Sequence, residues 1–216
     1  MTRRDADLVY RRLARAYGPL PPLRRLPPLD ALIQTILSQN TSDTNSWRAF
    51  ASLKKTFRNW SRVAEAPAIA IERSIRSGGL AHTKAPRIRQ VLRIIRQREG
   101  RLSLARLRRM TSPEVRAWLT GLPGVGAKTA ACVLLFSMRR PVMPVDTHVE
   151  RVTRRLGWVE ARLPVERIGP VLERHVPARR MLAMHLYLVQ HGRRTCRARR
   201  PLCAACAIRS RCQYVN

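Results

Sequence analysis

Between two stretches of helical periodicity lie nine residues, Leu122-Pro123-Gly124-Val125-Gly126-Ala127-Lys128-Thr129-Ala130, that force a sharp reversal of the chain. Upstream, Ser112 followed by Pro113 and Glu114 predicts an N-cap with proline at the first helical position. The helix it opens runs through Trp118, and Gly121 ends it. A second helix is predicted from Ala127 through Ala130, Ala131, Val133, Leu134, Leu135 and Phe136. The hairpin between them reads as too tight for side chains at Gly124 and Gly126. Its backbone N–H groups then turn outward beside a helix N-terminus, an arrangement suited to holding a phosphate. Taken by itself, a Gly-x-Gly is also an ordinary turn between helices.

Charge gives the hairpin a context. The chain carries 43 basic and 13 acidic side chains, a formal charge of +30 over 216 residues, and a pI near 11.8. Lys54, Lys55, Lys84 and Lys128 are its only lysines. Arginine's planar fork suits phosphate recognition. A GC-rich genome would also favour arginine, but it does not explain the shortage of acids. A polyanionic partner follows, with nucleic acid the first choice and an anionic membrane surface the rival. No stretch is apolar enough to span a bilayer, and the charged N-terminus lacks the apolar core of a signal peptide. A cytoplasmic location is expected.

The rest of the chain reads as helical, and the fold class as all-α. Residues 4–17 place Leu8, Val9, Leu13 and Ala16 on one stripe, ended by Gly18-Pro19. Residues 18–28 are proline-rich and read as a stiff connector. Leu29 to Leu37 is apolar nearly all round, which predicts burial. A polar break follows at residues 38–43, with Asp43 as the cap of a helix whose Trp47, Phe50, Leu53 and Phe57 read as core. Pro67 opens a short helix ending at Gly78-Gly79. Ile88, Val91, Leu92 and Ile95 then mark one face of a helix, with Arg87, Arg89, Arg93 and Arg96 on the other. A short helix is predicted around Leu104 to Leu107, and longer ones at about 147–156, 164–175 and 178–191, with Gly192 closing the last.

Four cysteines, Cys196, Cys203, Cys206 and Cys212, form a C-x6-C-x2-C-x5-C array within seventeen residues. Thiols this close, on loops, in a chain with no export signal, favour metal ligation over disulfides. Zinc and an iron–sulfur cluster are both open on the donors alone. Two separated Cys pairs are commoner for zinc, whereas a cubane needs four thiolates around one small volume. The fifth cysteine, Cys132, lies on the apolar helix after the hairpin and reads as core.

The hairpin, the Val145-Asp146-Thr147-His148 turn eighteen residues beyond Lys128, and His191-Gly192-Arg193 leading into the cysteine loop together resemble the endonuclease III family. That family is the bifunctional DNA glycosylase/AP lyase branch of the helix-hairpin-helix superfamily. The resemblance runs from about Leu29 to the C-terminus in the same order, with the same cysteine spacing. It implies two helical domains. One is a six-helix block at 22–140 holding the hairpin. The other is formed by 1–21 with 141–216 around a [4Fe–4S] cluster on Cys196, Cys203, Cys206 and Cys212. Double-stranded DNA with damaged bases or abasic sites would bind in the cleft between them, to a monomer in a prokaryotic, nucleoid-containing cytoplasm.

The same resemblance implies roles for single residues. Lys128 would be the nucleophile that attacks C1′, and Asp146, which also stands where an N-cap belongs, the catalytic carboxylate. A cation in the first turn of a helix is electrostatically disfavoured, and with partial burial this lowers the cost of a neutral amine. Leu122, Gly124, Val125 and Gly126 would bind the DNA backbone. Leu80 would be the wedge beside the orphaned base and Asn40, where the family often has Gln, the plug for the vacated space. Lys84, Arg193, Arg197, Arg199 and Arg200 are candidate phosphate contacts, and Ala127 replaces a basic residue frequent in the family.

Two rivals stand beside this reading. A monofunctional glycosylase of the superfamily, such as one acting on mismatched adenine, would share the hairpin, the Asp and the cluster but lack lysine at position 128. That adenine-specific branch also adds a C-terminal domain, and this chain stops four residues past Cys212. A non-catalytic helix-hairpin-helix binding protein would need neither Lys128 nor Asp146.

Overall fold

The computed structural model describes residues 1–215, and among these it is helical with no strand. The chain forms two compact units. One is Arg25–Met138, and the other combines Met1–Arg24 with Arg139 onward.

The unit 25–138 is assembled around α2 (Pro28–Leu37), whose Leu29, Leu32, Ile33, Ile36 and Leu37 are all buried. Each such side chain contributes about 1.5–3 kcal/mol by leaving water. Around α2 pack α3 (Asp43–Phe57) and α8 (Ala127–Cys132), with α4 (Trp60–Glu65) and α5 (Ala68–Ile75) packing on α6 (Ala81–Glu99), and α7 (Ser112–Thr120) on α8. The apolar face predicted for α6 is its buried face: Ile88, Val91, Leu92 and Ile95 are wholly covered. Helix α8 widens into a π-helical turn at Val133–Ser137. There the Ser137 hydroxyl donates to Leu26 O at 2.7 Å, and Ser137 O accepts from Arg25 Nε at 2.8 Å, pinning the end of the proline-rich connector.

Local readings are corrected here. Thr111, not Ser112, is the N-cap of α7. Its hydroxyl accepts from Glu114 N while the Glu114 carboxylate accepts from Thr111 N, a reciprocal capping box that moves Pro113 one position inward. Ser42, not Asp43, caps α3 by accepting from Asn45 N. Trp47 is not core. It is 40% exposed and meets Phe50 edge-on, while Phe50 and Leu53 carry the burial. Helix α4, too short to show a period, went unpredicted; Asn59 caps it, and Trp60 anchors it with Nε1 donating to Asp30 at 2.7 Å.

In the other unit, α1 (Arg3–Tyr17) and α9 (Thr147–Arg155) both pack on α11 (Met181–Arg194), with α10 (Val165–His175) preceding it. Gly192 does not close α11, which continues to Arg194. Its missing side chain has another use: a β-carbon there would lie 2.7 Å from Cβ of His148, so glycine lets the start of α9 seat against α11.

Candidate functional site

The hairpin is held from within. Leu122 and Val125 are buried, and Val125 N donates to Leu122 O at 3.2 Å. These two candidate DNA-binding residues therefore anchor the turn through their side chains. The two glycines of the hairpin differ. Gly124 has φ +71°, and a β-carbon on it would come within 2.4 Å of the Arg87 side chain. Gly126 has φ −88° and open space where a β-carbon would be. The expected lack of room for a side chain thus holds at Gly124 and fails at Gly126. Gly126 is the N-cap of α8, and no side chain caps that helix. Lys128 lies in its first turn and is exposed, against the partial burial expected from the sequence. Its neighbour Thr129 is buried instead.

The turn after α2 and the start of α6 belong to the same unit. Asn40 (φ +53°) and Leu80 (φ +48°) both occupy the left-handed region, and both are exposed, Leu80 by 48%. A left-handed conformation at a leucine is strained, and strain of this kind gathers at working surfaces. Lys84 does not sit with them on the surface. It is 2% exposed, and its Nζ donates to Leu37 O at 2.7 Å and Gly78 O at 2.8 Å. Burial holds its amine below the ordinary lysine range. A phosphate cannot reach it. Its task is to tie the C-terminus of α2 to the turn before Leu80, where a cation also meets the negative end of the helix.

Sequence reasoning missed Gln39 and Arg87 as parts of this surface. Gln39 Nε2 donates to Gly124 O at 3.2 Å and lies 3.4 Å from Thr129 Oγ1, while its Oε1 accepts from Arg87 Nη1 at 3.5 Å. Nothing in the spacing marks these contacts, since 85 residues separate Gln39 from Gly124.

In the other unit, Asp146 is the N-cap of α9. One carboxylate oxygen accepts from His148 N at 3.0 Å and from Val149 N at 2.8 Å. Arg151, also missed, binds the beginning of α9 to the loop that follows α11. Its guanidinium donates to Thr147 O, Gly192 O and Cys196 O, and lies 3.0 Å from His148 Nδ1. One turn on, Arg155 donates to Cys196 Sγ at 3.4 Å, to Arg197 O at 2.8 Å and to Ala198 O at 3.2 Å. Of the basic candidates on this loop, Arg193, Arg197, Arg199 and Arg200 are all exposed, and Arg197 donates to Arg194 O.

Cys196, Cys203, Cys206 and Cys212 all line one small pocket, with Val152, Leu156 and Ile208 as its apolar walls. Burial first, then the neighbouring thiols, push the Cys206 thiol up. Among the described residues no three His, Cys, Asp or Glu side chains gather closely enough to hold a single ion. The four thiols instead share the lining of one pocket, and four soft sulfur donors are the set that an iron–sulfur cluster takes. Nitrogen groups already face the sulfurs: the Arg155 guanidinium donates to Cys196 Sγ, and His191 Nε2 lies 3.6 Å from Cys206 Sγ. Burial lowers His191 to about 4, so its ring is neutral near pH 7, with one N–H to share between Cys206 and the Tyr17 hydroxyl 2.8 Å from Nδ1. Cys132 is buried apart from this pocket, on α8.

Known proteins share this architecture. The family model of the HhH-GPD superfamily base excision DNA repair proteins matches residues 33–174. An Arabidopsis thaliana protein named only provisionally as a DNA glycosylase is 41% identical over 165 residues, 76% of this chain and 56% of its own, so the chain spans about half the length of that relative. Endonuclease III of Thermotoga maritima is 34% identical over 187 residues, which cover 87% of this chain and 83% of that one. A solved endonuclease III, trapped as a covalent intermediate with DNA, superposes with a TM-score of 0.83 at 26% identity, covering 100% of this chain and 97% of the other. With the glycine hairpin, the capping aspartate and the four thiols in one chain, these matches place it in the HhH-GPD superfamily of base excision DNA repair enzymes, as a member of the endonuclease III family.

Proposed function

We propose that this enzyme removes oxidised or otherwise damaged pyrimidines from duplex DNA and then nicks the abasic site by β-elimination. The observation that carries the reading is the exposed amine of Lys128 in the first turn of α8, directly behind a glycine hairpin whose helix N-terminus has no side-chain cap. Backbone N–H groups there suit a DNA phosphate. Lys128 Nζ, as the neutral amine, attacks C1′ of the damaged nucleotide. The C1′–N bond breaks and its electron pair leaves with the base. Loss of the ring oxygen's bond to C1′ gives an imine, and removal of a C2′ proton then expels the 3′ phosphate.

Asp146 has a second part besides capping α9. Its carboxylate balances the positive charge that develops on the sugar as the base departs, and it takes up the proton that the attacking amine loses. Leu80 fills the stack as the target nucleotide leaves it, and Asn40 occupies the vacated position. Arg193, Arg197, Arg199 and Arg200 add charge toward the phosphates. The four cysteines fit a [4Fe–4S] cluster, which would bind the loop 196–212 into one rigid piece without taking part in base removal. The relative trapped covalently on DNA supports a protein nucleophile.

Borohydride tests the reading. With a thymine-glycol or abasic duplex it should capture a covalent protein–DNA adduct, and without it the strand should be nicked. Base release with neither adduct nor nick would assign the enzyme to the monofunctional glycosylases.

A further inference from the structure

The turn that carries Asn40 and the hairpin that carries Gly124 are joined by one side chain. Gln39 follows the last turn of α2 and is half-buried. Its Nε2 faces Gly124 O at 3.2 Å and Thr129 Oγ1 at 3.4 Å, and its Oε1 accepts from Arg87 Nη1 at 3.5 Å. A guanidinium donor on one side and a backbone carbonyl on the other fix which way the amide is turned. Arg87 in turn occupies the space over the α-carbon of Gly124. One residue further, Asn40 leaves this network in the left-handed conformation and reaches the surface. Buried Lys84 holds the same turn from below, through the Leu37 carbonyl.

We propose that Gln39 is a positioning residue that locks the turn bearing Asn40 to the phosphate-binding hairpin, so that gripping the DNA backbone and filling the vacated base position occur as one coupled event. The inference rests on the reading of the hairpin as a phosphate clamp and of Asn40 as the plug. The physical argument is short. A phosphate settling on the N–H groups of the hairpin fixes the peptide planes around Gly124, and the carbonyl of that residue is where Gln39 is attached. Any rotation of that plane is passed to Gln39 and so to the adjoining Asn40. Without the Gln39 amide, this tie between the two loops is lost, and the plug is freer to sample positions that do not fill the gap.

Two side-chain replacements separate this from a packing role. Gln39→Leu keeps the volume and loses all three polar contacts, whereas Gln39→Glu keeps an acceptor for Arg87 and loses the donor to Gly124 O and Thr129 Oγ1. Binding would be measured to a duplex with a tetrahydrofuran abasic analogue opposite 2-aminopurine, and to the same duplex undamaged. Loss of these hydrogen bonds predicts about tenfold weaker binding to the abasic analogue for both variants. Affinity for undamaged duplex should stay within about twofold, because that is set by charge. The fluorescence change of the orphaned 2-aminopurine should shrink as well. In a cycle with Asn40→Ala, the double variant should lose little beyond the larger single loss, since the two residues act as a unit.

Equal loss on both duplexes, no loss on either, or strict additivity with Asn40→Ala would each overturn the proposal. Gly126→Val, assayed in parallel, identifies which statement has failed. If it leaves abasic-analogue binding intact, the hairpin is not the clamp, and the coupling falls with it. If it weakens binding while both Gln39 variants behave as wild type, the clamp stands and only the coupling is wrong.

Discussion

The side chain of Arg87 lies where a β-carbon on Gly124 would have to be, at 2.4 Å from Cδ and from Nε. Two glycines one residue apart in the hairpin therefore do different jobs. Gly124 is required by the protein itself, through its φ of +71° and through Arg87. Gly126 has an ordinary φ and faces open space, so what requires it is whatever approaches from outside.

This difference is measurable. Gly124→Ala should cost about 1–2 kcal/mol of stability from the left-handed backbone alone, and Arg87 must also move. Gly126→Ala should leave stability within about 0.5 kcal/mol of wild type, the usual range for an exposed position. Both should weaken binding to an abasic-analogue duplex. A melting series paired with binding isotherms decides it: a large loss of stability for Gly126→Ala, with unchanged binding, would reverse the assignment.

Lys84 gives a second test. Its ammonium serves two backbone carbonyls that no water reaches easily, at Leu37 and Gly78. Lys84→Met keeps the stem and leaves both carbonyls unpaired, at about 1–3 kcal/mol each before relaxation. A desolvated charge is removed at the same time, which offsets part of the loss. The net expectation is a destabilisation of about 2 kcal/mol by urea denaturation. The salt dependence of DNA binding should keep the wild-type slope, because Lys84 touches no phosphate. A slope lower by about one ion would return Lys84 to the list of phosphate contacts.

The helices were legible because their apolar faces repeat at helical spacing, and the hairpin because glycine there is chemically conspicuous. Asp146 was legible as a cap because it stands just before a helical run, and the four cysteines because thiols so closely spaced are conspicuous. What escaped was contact across long sequence separations. Gln39, Arg151 and Arg155 look like ordinary polar residues at helix ends or on helix faces until the fold sets them against Gly124 O, Gly192 O and Cys196. Lys84 misled for the converse reason. A lysine three residues into a helix reads as solvated, and only the fold shows two carbonyls closing over it. Thr111 and Ser42 were missed by one position, because neighbouring hydroxyl and carboxylate side chains compete for the same capping role.

The cysteine loop depends on α9. Arg155 holds the carbonyls of Arg197 and Ala198 as well as the sulfur of Cys196, and Arg151 holds the Cys196 carbonyl. Purified wild-type protein should contain about four irons per chain. Arg155→Ala should retain less iron on dilution into chelator and lose its visible absorbance faster than wild type. Cys203→Ala should yield protein with little iron and an early-melting unit around α9 and α11. Wild-type protein carrying one zinc and no iron, when grown with ample iron, would replace the cluster by a zinc site.

Acid should loosen the segment ahead of the hairpin through Glu99. Its carboxylate accepts two bonds from Arg106, at 2.8 and 2.7 Å, and its side chain is nearly covered while Arg106 stays half exposed. The hydrogen bond from Arg106 is the main reason its pKa lies below the ordinary 4.5. A depressed folded value means that the unfolded chain takes up the proton first as pH falls. The pair's contribution is therefore complete above pH 4.5 and is lost as pH drops below it, through the folded value. Because Arg106 is open to solvent, the amount is small. Glu99→Gln should be less stable than wild type at pH 6, and the gap should narrow toward pH 3.5. A gap that widens on acidification would contradict the sign.

Asp146 caps α9, and one substitution separates that duty from the catalytic one proposed for it. Its carboxylate caps α9 by accepting from His148 N and Val149 N, and an asparagine offers an acceptor oxygen of the same reach. Asn and Asp rank together as N-caps, so Asp146→Asn should hold stability to within about 0.5–1 kcal/mol, the part lost being the favourable charge at the helix N-terminus. Activity should fall far more. Removing a group aimed at charge that develops only in the transition state costs about 10²–10³ in rate. Asp146→Ala, which also removes the cap, should lose about 1 kcal/mol of stability besides the rate. Lys128→Gln completes the set. Its side chain is exposed and serves no cap, so stability and abasic-analogue binding should stay near wild type while borohydride trapping and nicking vanish. Each variant would be scored by melting temperature, by binding to the tetrahydrofuran duplex and by single-turnover nicking of an abasic strand. Trapping at wild-type yield in Lys128→Gln would mean that another amine attacks C1′. A rate for Asp146→Asn close to wild type would leave Asp146 with the cap as its only duty.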